Sequence, residues 1–362
     1  MIHILVGTKA QFIKMAPLMQ RLQTKGLIFN LIDLGQHSLI TKSLREEFGI
    51  KEPDISLSEG KNITNLSQAS IWLIKIMTKS LSSKWVRKNI FQGEKGVCLI
   101  HGDTLSTLLG LYLAKTAGLK VAHIEAGLRS FCWLEPFPEE IIRVIAMRFS
   151  DFLFAPSEWA FRNLIHTGLG KKAILLCGNT GQEAVFLSLL KKVDLNLEIK
   201  DYVLVTFHRI ENIFSRGRLI FILNIIKTIS ERFPLIFVQH PPTLHQLKKF
   251  GFDLYLKNLK NIFYLQILSH SHFIYLLKNS LFVITDGGSI QEEAYYLGKP
   301  CLLLRRYTER NEGLNENVIL SNFNYKIAQD FIDNFKNFIH KDKLTASTEV
   351  SDSILDFLRD YV

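Results

Sequence analysis

Two short apolar runs, Val97–Ile100 and Lys120–Ile124, flank one helix-like segment, Leu105–Thr116. Runs of this length are too short for core helices and read as strands buried on both faces. Two such strands joined by a helix are expected to form a parallel pair with a crossover connection. The pattern recurs along the chain. Ile2–Val6, Asn30–Leu34 and Phe152–Ala155 read as further strands. A helix follows Gly7 through Gln23, and another runs to Ile165 behind Ser157 as its N-cap. The second half repeats the alternation with Tyr202–Thr206, Leu235–Val238, Ile262–Tyr264, Phe282–Thr285 and Cys301–Leu304. The expected fold class is therefore α/β, with two parallel sheets. Between these elements, residues 46–60 read as loop, 66–77 as a helix, and 79–95 as a solvated basic face.

A chain of 362 residues suits two domains, and 47% apolar residues with 26 Phe can fill two cores. The boundary is expected near residue 175, giving domains 1–175 and 176–350. The formal charge is +10. Its Lys and Arg are scattered, with no block of five, so a nucleic-acid arm is not expected and small anionic ligands suit the charge better. Cys98, Cys132, Cys177 and Cys301 form no C-x-x-C pair, and no Cys/His cluster has metal-ligand spacing. No metal or cofactor is expected. No apolar run reaches membrane-spanning length and no signal-peptide pattern opens the sequence, which suggests a soluble cytoplasmic protein.

The chemistry-bearing residues cluster at the ends of the predicted strands, where open α/β sheets bind ligands. Asp103 follows the run at 97–100 and Glu125 the run at 120–124. Glu139 opens the next helix, and Arg143 lies four residues on, on the same helical face. Three acids and an arginine at one sheet edge suit proton transfer on an anionic substrate. In the second half, Asp286-Gly287-Gly288-Ser289 leads from a strand into a helix with Ser289 as expected N-cap. That arrangement offers backbone N–H groups to a diphosphate.

HGDT at 101–104, HIEAGLRS at 123–130 and PFPEE at 136–140 followed by Arg143 resemble the non-hydrolysing UDP-N-acetylglucosamine 2-epimerases. So do Gly35-Gln36-His37, Gly178-Asn179-Thr180, Phe207-His208-Arg209-Ile210-Glu211-Asn212 and Thr308-Glu309-Arg310-Asn311-Glu312. The resemblance spans nearly the whole chain. It implies a GT-B-like fold, two Rossmann-like domains with parallel sheets facing a central cleft, and a final helix, within 351–362, crossing back onto the first domain. It implies a UDP-sugar substrate, a homodimer, and a role in making polysaccharide precursors. Asp103, Glu125, Glu139, Arg143 and His208 are then the implied catalytic set. Lys9, Lys14, Gln36, His37, Phe273, Gly287, Gly288, Ser289, Glu293 and Arg310 are the implied substrate contacts, with Glu293 on ribose hydroxyls and Phe273 on uracil.

This chain departs from the family at Lys9-Ala10-Gln11, where Gly-Thr is usually followed by Arg-Pro-Glu. It departs again at Gly287-Gly288-Ser289, where the family reads Ser-Gly-Gly after Asp. Leu39 replaces a usually polar residue beyond Gln36-His37, which leads to an expectation of weak activation by a second UDP-sugar. These departures leave two neighbouring outcomes open, hydrolysis to free N-acetylmannosamine and UDP, or epimerisation of a modified UDP-sugar. A GT-B glycosyltransferase is a more distant alternative, and three acids exceed what a transferase needs. Which acid plays which part stays open.

Overall fold

The computed structural model describes residues 1–34, 38–57, 66–195, 197–344 and 348–361. The chain parts into two compact units, one of Met1–Arg129, Pro138–Leu187 and Ala346–Val362, the other of Ser130–Phe137 and Ser188–Thr345. In the first unit the chain runs β1 (Ile2–Val6), α1 (Lys9–Thr24), β2 (Phe29–Asp33), α2 (Ser38–Phe48), β3 (Ile55–Ser56), α3 (Leu66–Ser80) and α4 (Ser83–Asn89). It continues through β4 (Val97–His101), α5 (Leu105–Thr116), β5 (Lys120–Ile124), α6 (Glu139–Phe149), β6 (Phe152–Ala155), α7 (Glu158–His166), β7 (Ala173–Leu175) and α8 (Thr180–Leu189), whose last turn enters the second unit. All seven strands are parallel, in the order β3-β2-β1-β4-β5-β6-β7. The central strands β1, β4 and β5 are buried along almost their whole length. That is why they read as unbroken apolar runs rather than alternating ones.

The second unit holds β8 (Val203–Thr206), α9 (Ile210–Ile213), α10 (Arg216–Ser230), β9 (Leu235–Val238), α11 (Pro241–Lys249), α12 (Asp253–Lys257) and β10 (Ile262–Leu265). It goes on through α13 (His270–Asn279), β11 (Val283–Thr285), α14 (Gly288–Tyr296), β12 (Cys301–Leu303), β13 (Val318–Leu320) and α15 (Tyr325–Asn334). Its six strands are also parallel, in the order β10-β9-β8-β11-β12-β13. Phe207, Phe237, Phe282, Phe331 and Phe335 fill its core beside the aliphatic face of α10.

The last helix, α16 (Glu349–Leu358), belongs to the first unit. Its Val350, Ile354, Leu355 and Leu358 share one buried cluster with Phe12, Met15 and Met19 of α1. Burying each such side chain is worth about 1.5–3 kcal/mol. Glu183 of α8 accepts the N–H groups of Val350 and Ser351, both at 3.1 Å, and so caps the otherwise unsatisfied start of α16. Arg21 grips Asp352 through two hydrogen bonds of 2.8 and 2.9 Å.

The chain departs from the sequence reading in several places. Residues 46–60 are not all loop: α2 extends to Phe48, and Ile55–Ser56 pairs with β2. Residues 79–95 hold α4, whose Val86 is buried with the following Ile90 and Phe91, so this face is only partly solvated. β7 and β13 were not expected: both are apolar, but at three residues each, on sheet edges, they are too short to stand out as strands. The first unit holds β7 and most of α8, so the break in contacts comes after Leu187 rather than near residue 175. Among the described residues no helix is long and apolar enough to cross a membrane.

Candidate active site

Three loops of the first unit leave adjacent strands of its sheet. After β1, Gly7 and Thr8 lead into α1, where Thr8 caps the helix by accepting from the Gln11 N–H at 3.3 Å. After β4, Gly102, in the left-handed region at φ 66°, turns the chain into Asp103 and Thr104. After β5 comes Glu125, itself left-handed at φ 66°, an uncommon backbone state for a non-glycine residue. Gln11 locks the first two loops together. Its Oε1 accepts from the Gly7 N–H at 3.0 Å and from Ser106 Oγ at 2.8 Å, and its Nε2 donates to the His101 carbonyl at 2.7 Å and to Thr107 Oγ1 at 3.0 Å. An amide can donate and accept at once, whereas a carboxylate cannot donate. The departure at Gln11 therefore serves the scaffold of the site.

Each strand-end acid is held by a buried cation. Glu125, 5% exposed, takes the Lys14 ammonium and the Asn179 Nδ2 at 2.8 Å on the same oxygen, Oε1. Its Oε2 lies 3.8 Å from His101 Nε2. Asp103 is paired with the guanidinium of Arg143, which is 1% exposed. Behind it, Glu140 is fully buried and bridges two arginines, Arg143 Nη1 at 2.6 Å and Arg129 Nε at 2.5 Å. An arginine bound from both sides cannot swing, so Asp103 has a fixed partner. His101 and His123 lie beneath these groups, and burial pushes both imidazoles down to about 4. His123 Nε2 lies 2.7 Å from the Gly102 carbonyl, which can only accept, so this nitrogen carries the proton of the neutral ring. The base of the site is thus polar but uncharged at neutral pH.

In the second unit the turns after β8 and β11, neighbouring strands, are tied by Asp286. Its carboxylate is fully buried and accepts from the N–H groups of His208 at 3.0 Å and Arg209 at 2.9 Å and from Asn212 Nδ2 at 3.0 Å. This fixes the backbone that presents His208. The His208 ring stacks on His240 with centroids 4.3 Å apart. Burial lowers its pKa from 6.5 while Asp286 opposes the shift, and the 42% exposure of the side chain limits the desolvation.

α14 starts one residue after its N-cap, Gly287, so Ser289 sits inside the first turn and is not the cap expected from sequence. The reason lies at Gly288. A Cβ there would stand 2.6 Å from Glu309 Oε1 and 3.0 Å from Arg310 Nε, so only glycine lets the helix start so close to that buried ion pair. Arg310 is 5% exposed and donates from Nη1 to Glu292 at 2.8 Å, while Arg305 donates to Glu309 at 2.7 Å. Arg310 thus anchors its loop beneath the glycine turn rather than lying open at the surface. Phe273 is half-buried in the first turn of α13.

The first unit therefore gathers Asp103, Glu125, Arg143 and Lys14 at one sheet edge. Glu139 opens α6, half-buried, and Lys9 opens α1, also half-buried. The second unit gathers His208, Gly287, Gly288, Ser289 and Glu293 on two adjacent turns. Gln36 and His37 lie outside the described residues, as does the side chain of Leu39. Sequence reasoning missed Glu140, Asn179 and Asp286 as organising residues. Glu140 had a signal: it stands three residues before Arg143 on the same helix, a spacing that brings side chains together. Among the described residues no group of three or more His, Cys, Asp or Glu is arranged to hold a metal ion.

The profile of a known family, UDP-N-acetylglucosamine 2-epimerase, matches residues 20–351. A UDP-N-acetylglucosamine 2-epimerase of Methanocaldococcus jannaschii is 34% identical over 325 residues, covering 86% of this chain and 85% of its own. One from Campylobacter jejuni is 34% identical over 336 residues, covering 88% and 84%. The crystal structure of the M. jannaschii UDP-GlcNAc 2-epimerase in complex with UDP-GlcNAc and UDP superposes with a TM-score of 0.85, at 30% identity and over 99% of both chains. Likeness of this extent, running through both sheets and the loops that carry the acids, makes this chain a member of the UDP-N-acetylglucosamine 2-epimerase family.

Proposed function

We propose that the enzyme inverts C2 of UDP-N-acetylglucosamine, interconverting it with UDP-N-acetylmannosamine by elimination and re-addition of UDP. C2 bears an N-acetyl group and is not acidic, so direct removal and return of its proton faces a high barrier. Breaking the C1–O bond as the C2 proton leaves places the electron pair on the departing phosphate and gives a C1–C2 double bond. Proton delivery to the other face of C2, with re-attack of UDP at C1, completes the inversion. A base, an acid and a cationic grip on phosphate are required. The observation that carries this reading is the pairing of Asp103 and Glu125 at the ends of adjacent parallel strands, each anchored to its own buried cation. Anchored carboxylates hold their geometry and need little reorganisation as protons move.

In this reading Asp103, Glu125 and Glu139 share the proton transfers. Arg143, Lys14, Lys9 and His208 balance charge on the departing diphosphate. Gly288 and Ser289 present N–H groups at the α14 N-terminus to UDP beside Gly287, whose own N–H is held by Thr285 Oγ1 at 3.0 Å, while Glu293 takes the ribose and Phe273 lies against the base. The family likeness further supports a homodimer, a cytoplasmic location and a place in polysaccharide precursor synthesis.

The test is incubation with UDP-N-acetylglucosamine in heavy water, following the C2 proton by NMR and the products by chromatography. Deuterium entering C2 of both UDP-sugars is the expected result. UDP-sugars that retain hydrogen at C2 while the donor is consumed by an acceptor would overturn epimerisation in favour of transfer. Free N-acetylmannosamine accumulating with UDP would move the assignment to the hydrolysing outcome.

A further inference from the structure

Beneath the glycine turn of the second unit three side chains form a hydrogen-bonded series. Ser188 Oγ lies 2.7 Å from His270 Nδ1, and His270 Nε2 lies 3.1 Å from Glu293 Oε1. Ser188 is 1% exposed and His270 4% exposed, while the Glu293 side chain keeps 14%. The series thus runs from the interior to the one carboxylate that reaches the surface. An ionised carboxylate only accepts, so Nε2 carries a proton toward Glu293. The Ser188 hydroxyl, which can donate or accept, meets the other ring nitrogen, Nδ1. That second bond fixes the ring plane, as outer partners of ligating histidines do in metal sites.

We infer that His270 is a positioning residue for nucleotide recognition, holding the Glu293 carboxylate in the orientation that accepts two ribose hydroxyls, with Ser188 bracing the ring from behind. This rests on the ribose assignment of Glu293 given above. One oxygen of Glu293 is committed to the imidazole, which fixes the plane in which the carboxylate meets a diol. A glutamate on the first turns of a helix otherwise samples several rotamers, and ordering it on binding costs affinity. A pre-set carboxylate avoids that cost. The role is confined to binding, because none of the three groups lies among the acids of the first unit.

The test measures affinity for UDP and for 2′,3′-dideoxyuridine diphosphate by calorimetry, with kcat and KM for the sugar nucleotide alongside. His270→Phe should weaken UDP roughly tenfold, the size of one lost hydrogen bond to a charged group. It should leave the dideoxy nucleotide unchanged and raise KM with little change in kcat. His270→Gln, whose amide nitrogen reaches the place of Nε2, should restore most of the UDP affinity. Ser188→Ala, a milder change that leaves the ring in place, should weaken UDP by a smaller factor and spare the dideoxy probe. Equal losses for both nucleotides would mean a structural role only and overturn the inference. So would wild-type UDP affinity in His270→Phe where Glu293→Ala has lost it. Unchanged UDP affinity in Glu293→Ala would instead overturn the ribose assignment itself, and the positioning role with it.

Discussion

Glu140 offers the sharpest test of how the first unit holds its acids. It is fully buried and bridges Arg129 and Arg143, which are 9% and 1% exposed. Glu140→Gln keeps the shape but removes the negative charge that the two guanidiniums share. It also turns one acceptor into an NH₂ that faces a donor. Breaking a buried ion pair from one side costs about 3–5 kcal/mol because a charge is left uncompensated in the interior. For a unit of this size each kcal/mol lowers Tm by about 2–4 °C, so a fall of roughly 6–20 °C is expected. Chemical denaturation of wild type and variant measures the loss directly. A double variant, Glu140→Gln with Arg129→Met, removes one of the stranded cations and should regain part of it. The double-mutant cycle must therefore show a favourable coupling. A single-variant loss under about 1 kcal/mol, or strictly additive losses, would refute the view that Glu140 is the hub of a buried ionic bridge. Activity should fall as well, because Arg143 would lose the contact that aims it at Asp103.

Asp103→Asn, Glu125→Gln and Glu139→Gln should each lower turnover by roughly 10²-fold or more, the size typical of a positioned acid or base. Near-full activity in two of the three would make the constellation structural. UDP should raise Tm without added divalent metal, since a ligand selective for the folded state stabilises it. Gly288→Ala should abolish that shift, because its Cβ would meet Glu309 at 2.6 Å, and an unchanged shift would remove the glycine turn from the nucleotide site. Acid should weaken the first unit. His3, His101 and His123 titrate near 4 in the fold because burial opposes their charge, against 6.5 for a free imidazole. The unfolded chain therefore binds more protons between those values, so stability is full above pH 6.5 and declines as pH falls toward 4. On the order of 1–2 kcal/mol per histidine should be lost by pH 5. Equal denaturation midpoints at pH 7 and pH 5 would contradict this.

The acids at the ends of β4 and β5 were legible because two local signals agreed there. Buried parallel strands read as apolar runs, and the first acid after each run lies at the carboxyl end of its strand, where open α/β sheets commonly bind ligands. What stayed hidden depends on contacts distant in sequence. Asn179 meets Glu125 across 54 residues, and Asp286 meets His208 across 78. No periodicity encodes such pairs. Ser289 was misplaced for a related reason. Serine is a strong N-cap former, but the start of α14 is set by the closeness of Glu309 and Arg310, and those residues come twenty positions later. The partner that buries Arg310, Glu292, was likewise hidden because it lies 18 residues earlier on another element. Lys9 and Lys14 were both picked as cations on α1, yet only the fold distinguishes the half-buried Lys9 from Lys14, buried against Glu125.

The helix that closes the first unit, α16, is made by the ribosome after every residue of the second. Until it emerges, the apolar face of α1 has no cover from Val350, Ile354, Leu355 and Leu358, and Arg21 lacks Asp352, a partner 331 residues away. The first unit thus cannot finish folding as it leaves the ribosome, although domains commonly do so in order of synthesis. The second unit, with its core drawn from residues 203–338, has no such dependence and can complete first. Completion of the acid-bearing unit waits on synthesis of residues 349–358, so Asp103 and Glu125 acquire their full scaffold only after the second unit has been made.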